Sequence, residues 1–402
     1  MMKRSQITIG IDIGTHYIKV IVSEKEHGQS RPKIIGYGFS KSKGIRHGYV
    51  IHPTDAVTSI RKAIRNAEKE SGIQISEAFI SIGGIGLGSF VSTGNVIVSR
   101  ADSEITDIDV DKAMNESQED IPSSHSANRR VLHAIPVGYK IDGKDTLGKP
   151  QGLKGSRLEV KTLFITCLEH HLNELFQVIE DAGVEIIDVM ASPLASSFVT
   201  LTKSQKIAGC VLANIGSETV SIMVFENGIP ISLEVFPIGS NDITNDLALG
   251  LQVSLEEAEE IKIFEENRSS HPKKKLEDII SARLSDIFEL IEAHLKKNNK
   301  SGLLPAGVII TGGGAGISMI DDIAKAYLKL PSRAGGLLCD PADLKCLPNT
   351  VDMENSSWSV AFGLCIFGLT SDKEGYVSSG SIKRMFKQMK NKLVKFFTQF
   401  LP

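Results

Sequence analysis

One strand, glycine turn, strand block occurs twice in this chain. Residues 7–23, ITIGIDIGTHYIKVIVS, place two β-rich apolar runs around a Gly-Thr-His turn. Residues 211–231, VLANIGSETVSIMVFENGIPI, repeat that outline. Apolar runs bounded by turn residues predict paired strands, and a unit met twice points to two related halves. The length of 402 residues, two to three times a typical domain, leaves room for both halves and more. A third glycine block, GVIITGGGAGISMIDDIA at 307–324, reads as strand, glycine turn and helix.

The connecting segments have other periods. Residues 54–71 carry apolar side chains at Val57, Ile60, Ala63, Ile64 and Ala67, the spacing of an amphipathic helix closed by Gly72. From Ile85 to Val160 the texture changes to strands, an acidic helical stretch near 107–120 and a turn-rich segment, which together read as an inserted subdomain. Residues 168–182 are helical in period, Val184 to Val189 form the next strand, and 254–300 are charged and helical. Two charge-free runs, 78–99 and 301–320, are broken by glycines and predict buried strands and turns, not membrane spans. The first fourteen residues reach Asp12 too soon for a signal peptide.

Composition excludes several functions. The five cysteines are scattered, with no CxxC pair, so neither a disulfide scaffold nor a structural zinc site is expected. The formal charge of -3 hides an asymmetry: residues 381–402 carry six basic side chains and no acid, which leaves -9 for residues 1–380. An anionic body argues against nucleic acid as a partner.

Two of the glycine blocks have the chemistry of a phosphate site. A carboxylate at a strand end before Gly-Thr, as in Asp12-Ile13-Gly14-Thr15, can hold a hydrated Mg²⁺ while turn amides approach phosphate oxygens. An ordinary hairpin turn reads the same way. Likewise Thr311-Gly312-Gly313-Gly314 allows close approach of backbone to a ligand, or is simply a tight strand-to-helix turn.

The order of these blocks carries a resemblance. Asp12 hairpin, ASPLASS (191–197), Gly216 hairpin, a Glu259-x-x-Lys262 helix, the Gly312 turn and WSVAFGLCIFG (358–368) follow one another as in the actin/Hsp70/sugar-kinase ATPase superfamily. Within it, SKGIRHGYV (42–50), HAIPVGYKIDG (133–143), GLKGSRLEV (152–160), GSNDITNDLALGL (239–251) and the basic C-terminus resemble the bacterial cell-division family FtsA over the whole chain. The resemblance implies an α/β, actin-like ATPase fold: two related lobes around a nucleotide cleft, an inserted 1C subdomain and a C-terminal amphipathic helix. Its subdomain 1A would span 1–84 and 162–192, and 1C would span 85–161. Subdomain 2A would take 193–253 and 301–355, and 2B the charged block 254–300. A returning helix would follow at 356–370, a linker at 371–380 and the membrane helix at 381–402.

The same resemblance implies ATP and Mg²⁺ as ligands. Asp12 would orient the metal; Gly14, Thr15 and His16 would line one phosphate turn, and Asn214, Gly216, Ser217, Glu218 and Thr219 the other, with Gly239 close by. Glu259 and Lys262 would meet ribose or adenine, although their i,i+3 spacing suits a solvated ion pair equally, and Gly312, Gly313 and Gly314 would floor the adenosine. Two positions depart from the superfamily. Asn214 stands where a second metal-orienting Asp is usual, and Ser192 precedes Pro193 where a Glu often orders the attacking water. A hydroxyl is a far poorer base, so binding is expected and fast hydrolysis is not.

The implied partners are the C-terminal peptide of the tubulin-like protein FtsZ, further copies of the chain in an actin-like filament, other division proteins and anionic lipid. For the peptide, Arg283, Lys296 and Lys297 beside Ile287, Leu290 and Ile291 form a chemically suitable set, or are solvated charges beside core positions. For lipid, Phe386, Phe396, Phe397 and Phe400 fall with the other apolar residues of 381–402 within an arc of roughly 120°, and Lys387, Lys390 and the other bases fall outside it. Six cations forbid spanning, so this helix is expected to lie in an anionic leaflet at the cytoplasmic face of the cell membrane, at the division septum. A docking helix, or a calmodulin-type target, has the same pattern. A kinase or phosphatase of the same fold would need a cleft carboxylate where Asn214 and Ser192 stand. A pilus-assembly actin homologue would not be expected to carry the basic tail.

Overall fold

The computed structural model describes residues 5–26, 32–264, 272–338 and 356–370. Its first sheet begins with β1 (Gln6–Ile13), β2 (Tyr17–Lys25) and β3 (Lys33–Lys41), an antiparallel meander. A small β4 (Ile45–Arg46) and β5 (Tyr49–Val50) hairpin follows, then helix α1 (Pro53–Ser71). Pro53 opens α1 and Gly72, at φ 70°, closes it by donating its N–H to the Glu68 carbonyl. The chain returns as β6 (Glu77–Ile82) parallel to β1, and much later as β11 (Glu185–Ala191) parallel to β6. The order is β11-β6-β1-β2-β3.

The second sheet repeats this plan with shorter strands: β12 (Cys210–Ile215), β13 (Val220–Glu226) and β14 (Ile229–Phe236) form the meander, then β15 (Val308–Thr311) and β16 (Ser332–Ala334) add in parallel. Its order, β14-β13-β12-β15-β16, is the same topology. Register makes the equivalence residue by residue. Ile13 pairs with Ile18 and Ile215 with Val220, so each hairpin closes four turn residues; Asp12 opposite Lys19 corresponds to Asn214 opposite Ser221.

Between β6 and β11 stand β7 (Gly88–Ile97), α2 (Asp107–Glu119), α3 (Ser123–Ser126), β8 (Arg129–Ile141), β9 (Lys144–Thr146), β10 (Arg157–Leu168) and α4 (Glu169–Asp181). The strands form a separate antiparallel sheet, β7-β10-β8-β9. It has a core of its own, in which Val110, Ala113 and Met114 of α2 meet Leu158, Val160 and Phe164 of β10. The Ser89 hydroxyl ties this sheet to the second lobe, accepting from the Leu233 amide at 2.7 Å and donating to its carbonyl at 2.9 Å.

Helices α5 (Ser192–Thr200) and α6 (Lys203–Ala208) link the lobes. Helices α7 (Ser240–Leu251), α8 (Leu255–Phe264), α9 (Lys273–Lys297) and α10 (Ile320–Leu328) belong to the second. The last helix among the described residues, α11 (Ser359–Thr370), is apolar on all sides because it returns to the first lobe and is buried against α5 and β1. Among the described residues no helix is long and apolar enough to cross a membrane, and Cys167, Cys210 and Cys365 are buried free thiols. The two charge-free runs are strand and turn, as their glycines predict.

Candidate functional site

The two hairpin turns face each other across a cleft of about 750 Å³ between the lobes. Gly14, Thr15 and His16 line it from the first lobe, and Gly216, Ser217 and Thr219 from the second. The turns are built alike: a Cβ on Gly14 would sit 2.7 Å from the Tyr17 carbonyl oxygen, and one on Gly216 2.9 Å from that of Thr219. Behind the second turn, the amides of Ser240 and Asn241 at the start of α7 hold the carbonyls of Gly216 and Ser217 at 2.9 and 2.8 Å. The turn is therefore fixed by protein on its outer side.

Asp12 sits at the floor. Its Oδ1 accepts from the Ser81 hydroxyl at 2.8 Å, and burial pushes the carboxyl up against the lowering pull of Lys19 and Ser81. Lys19, directly opposite Asp12 in the register, is half-buried; desolvation pushes its ammonium down while Asp12 pulls it back up. It donates to the Ser357 carbonyl at 2.7 Å and lies 5.6 Å from the centre of the Trp358 ring. Trp358 is held edge-on by Tyr37 and Phe39, at 5.8 and 6.2 Å between ring centres. Burial also pushes the His16 imidazole down.

The far wall is α8. Glu259 and Lys262 are not a solvated pair. Lys262 is only 7% exposed and donates to Glu259 Oε2 at 2.6 Å, Thr244 Oγ1 at 2.8 Å and the Ser240 carbonyl at 3.2 Å. Burial alone would raise the Glu259 carboxyl, but the hydrogen bonds from Lys262 and Thr244 bring it below its ordinary value. The pair lines the cleft with Ile263 and Ile317. The floor on this side is Gly312 to Gly314. Gly312 has φ 93°, and its missing Cβ would lie 2.3 Å from Asn214 Oδ1, so only glycine fits. A Cβ on Gly313 would meet nothing within 4 Å. Asn214 and Ser192 both line the cleft, at the two places where the sequence departs from the superfamily.

Most predicted cleft residues are thus brought together, and two are not. The Glu218 carboxylate turns out of the cleft and accepts from the His47 amide at 2.7 Å, joining the lobes beside it. Gly239 caps α7 behind the turn, where a Cβ would meet the Ser217 carbonyl oxygen at 2.4 Å. Residues the sequence reading missed are Lys19, Ser81 and Trp358. Setting the two hairpins in register would have flagged Lys19, because it faces Asp12 where the second lobe has Ser221.

On α9 the picture differs from the expected surface. Ile287 and Ile291 belong to the core with Leu284, Phe288 and Leu295, so they are not available to a partner. Arg283 is held by Asp246 in a bidentate pair at 2.7 and 3.0 Å. Leu290, Lys296 and Lys297 remain exposed, Lys296 within 3.6 Å of Glu292. Phe386, Lys387, Lys390, Phe396, Phe397 and Phe400 lie outside the described residues.

Two lobes of one topology, closed on a cleft into which each sends a glycine turn, define the class: an actin-like ATPase fold. Solved structures of a PilM-PilN type IV pilus biogenesis complex (TM-score 0.63, 13% identity, 90% of this chain and 98% of that one) and of the ethanolamine utilization protein EutJ from Carboxydothermus hydrogenoformans (0.53, 15%, 90% of each) share it. The family described as cell division protein FtsA matches residues 211–363, and the SHS2 domain inserted in FtsA matches 84–166. The chain is 28% identical to the cell division protein FtsA of Pseudomonas aeruginosa over 401 residues, 94% of this chain and 93% of that protein. It is 30% identical to that of Bacillus subtilis over 387 residues, covering 91% and 84%. The chain belongs to the FtsA family of cell-division proteins.

Proposed function

We propose that this chain binds ATP with Mg²⁺ between its lobes and acts as a membrane tether for FtsZ in the division ring. The observation that carries the nucleotide reading is the meeting, in one cleft, of both glycine turns, the paired Asp12 and Lys19, and the Glu259–Lys262 wall. Turn amides and the Lys19 ammonium supply donors for phosphate oxygens. Glu259, held as a carboxylate by Lys262 and Thr244, is an acceptor for ribose hydroxyls. Ile263 and Ile317 offer apolar faces to a purine.

Among the described residues no cluster of three metal-ligating side chains exists. The Asp12 carboxylate on the cleft fits Mg²⁺, which keeps most of its waters and takes one or two carboxylates plus phosphate oxygens. Asp12 is the carboxylate that would hold it here, and the ion would neutralise phosphate charge. The donors for binding are present, whereas Asn214 and Ser192 occupy the places of a second carboxylate and a water-ordering base. The cleft therefore suits a nucleotide-dependent scaffold with slow or no turnover better than a kinase or phosphatase.

The tethering part rests on family membership and on the tail sequence. The basic, Phe-rich segment 381–402 would bind an anionic leaflet at the cytoplasmic face. The α9 surface around Leu290, Lys296 and Lys297 would receive the acidic FtsZ peptide. Self-association into filaments would multiply a weak single-chain membrane contact. Titration calorimetry with ATP and Mg²⁺ tests the nucleotide reading: saturable binding is expected, and none to the intact chain would overturn it.

A further inference from the structure

The chain crosses from the second lobe back to the first at residues 356–359, and that crossing is held from three sides. The Ser356 hydroxyl donates to the Gly312 carbonyl at 3.2 Å, and Thr311 Oγ1 donates to the Ser356 carbonyl at 3.1 Å. Ser359 Oγ bonds Ser196 at 2.9 Å and Thr311 at 3.1 Å. From the first lobe, Tyr37 and Phe39 pack edge-on against Trp358, and Lys19 supplies a cation: its Nζ donates to the Ser357 carbonyl at 2.7 Å, with the Trp358 ring 5.6 Å away.

We propose that Lys19 couples an anion held by the glycine turns to the 356–358 turn and so to the start of α11; the proposal rests on the nucleotide reading of the cleft. An ammonium has three N–H donors, and the Ser357 carbonyl takes one. The ammonium is half-buried at the cleft wall, where Asp12 is its register partner on β1 but makes no ion pair with it. A polyphosphate between the turns offers charge-assisted bonds to the remaining donors. Lys19 then bridges anion and turn. The second lobe has no counterpart, because the equivalent position is Ser221. Helix α11 begins where this bridge ends, and its buried apolar surface links the crossing to β1 and α5.

Trp358 is the only tryptophan in the 402 residues, so its emission reports on this one place. ATP and pyrophosphate, which carry the anion, should change Trp358 emission; adenosine should not. Lys19→Met should abolish the change and weaken ATP binding by about tenfold to a hundredfold, as loss of a charged hydrogen bond does. Lys19→Arg should retain it. Amide exchange in the first turn of α11 should slow with ATP in the parent and not in Lys19→Met. An unaltered emission response in Lys19→Met, or a response to adenosine equal to that of ATP, overturns the coupling. Should Lys19→Met fail to fold, Lys19→Arg and the pyrophosphate-against-adenosine comparison on the parent decide. If calorimetry finds ATP bound while Trp358 stays silent, the coupling alone is wrong; if it finds no ATP bound, the cleft reading falls with it.

Discussion

Gly313→Val separates the fold of the cleft from its use. The glycine lies on the cleft wall, and the position of a Cβ there is open to 4 Å. The added isopropyl group should leave the protein's own packing untouched and stand where adenosine is proposed to lie. Forcing extra methyl groups into a fitted site costs about 1–3 kcal/mol. Binding should therefore weaken about 5-fold to 150-fold. Gly312→Ala, one residue away, predicts the reverse. At φ 93° a side chain is strained, and the new Cβ would fall 2.6 Å from the Ile215 carbonyl oxygen, so stability should drop by at least about 1 kcal/mol. Titration calorimetry with ATP and a thermal melt on both variants give four numbers. If Gly313→Val keeps both its unfolding temperature and the parent's ATP affinity, the glycine floor is not part of a nucleotide pocket.

Three further outcomes follow from the same geometry. Steady-state phosphate release should stay near background even with lipid and FtsZ present; turnover of about 1 per second or faster would contradict the roles given to Asn214 and Ser192. His133 is buried, accepts from the Ala191 amide at 3.1 Å, and has its pKa pushed by burial down from 6.5 to about 3. The unfolded chain thus takes up a proton below pH 6.5 that the folded chain refuses until about pH 3, and stability falls with acidification by about 1.4 kcal/mol per pH unit in that window. His133→Gln should flatten the acid side of the unfolding-temperature profile, and an unchanged profile refutes the assignment. Lys296→Glu with Lys297→Glu should weaken FtsZ-peptide binding in fluorescence anisotropy, and equal affinity would clear that surface.

What the sequence made legible was local. Both hairpins, the helix closed by Gly72 and the strand, turn and helix of 307–324 stand where turn residues and apolar period put them. The inserted sheet also follows its change of texture. Direction was harder to read. Glu218 sits in a phosphate-like turn, yet its side chain points to His47, a residue 171 positions earlier in sequence that no local pattern connects to it. On α9 the charged residues caught attention, while the three- and four-residue spacing of Leu284, Ile287, Phe288 and Ile291 marked the buried stripe. Lys19 meets the Ser357 carbonyl, 338 positions later, and the neighbouring Trp358 only because α11 returns to cover β2. Such a contact is fixed by topology, and only the twofold repeat hinted at it.

The proposed tether is tested by sedimenting FtsZ with anionic liposomes in the presence of this protein. The tail supplies six cations, each contributing on the order of 1 kcal/mol at an anionic surface before screening, and phenylalanines whose burial adds roughly 1.5–3 kcal/mol each. FtsZ should pellet only when the protein is present, and free FtsZ C-terminal peptide should displace it. Recruitment should vanish on truncation at Gly380 or with Phe396→Glu and Phe397→Glu together. FtsZ that stays in the supernatant with the intact protein, or that pellets equally with the truncated one, would contradict the account.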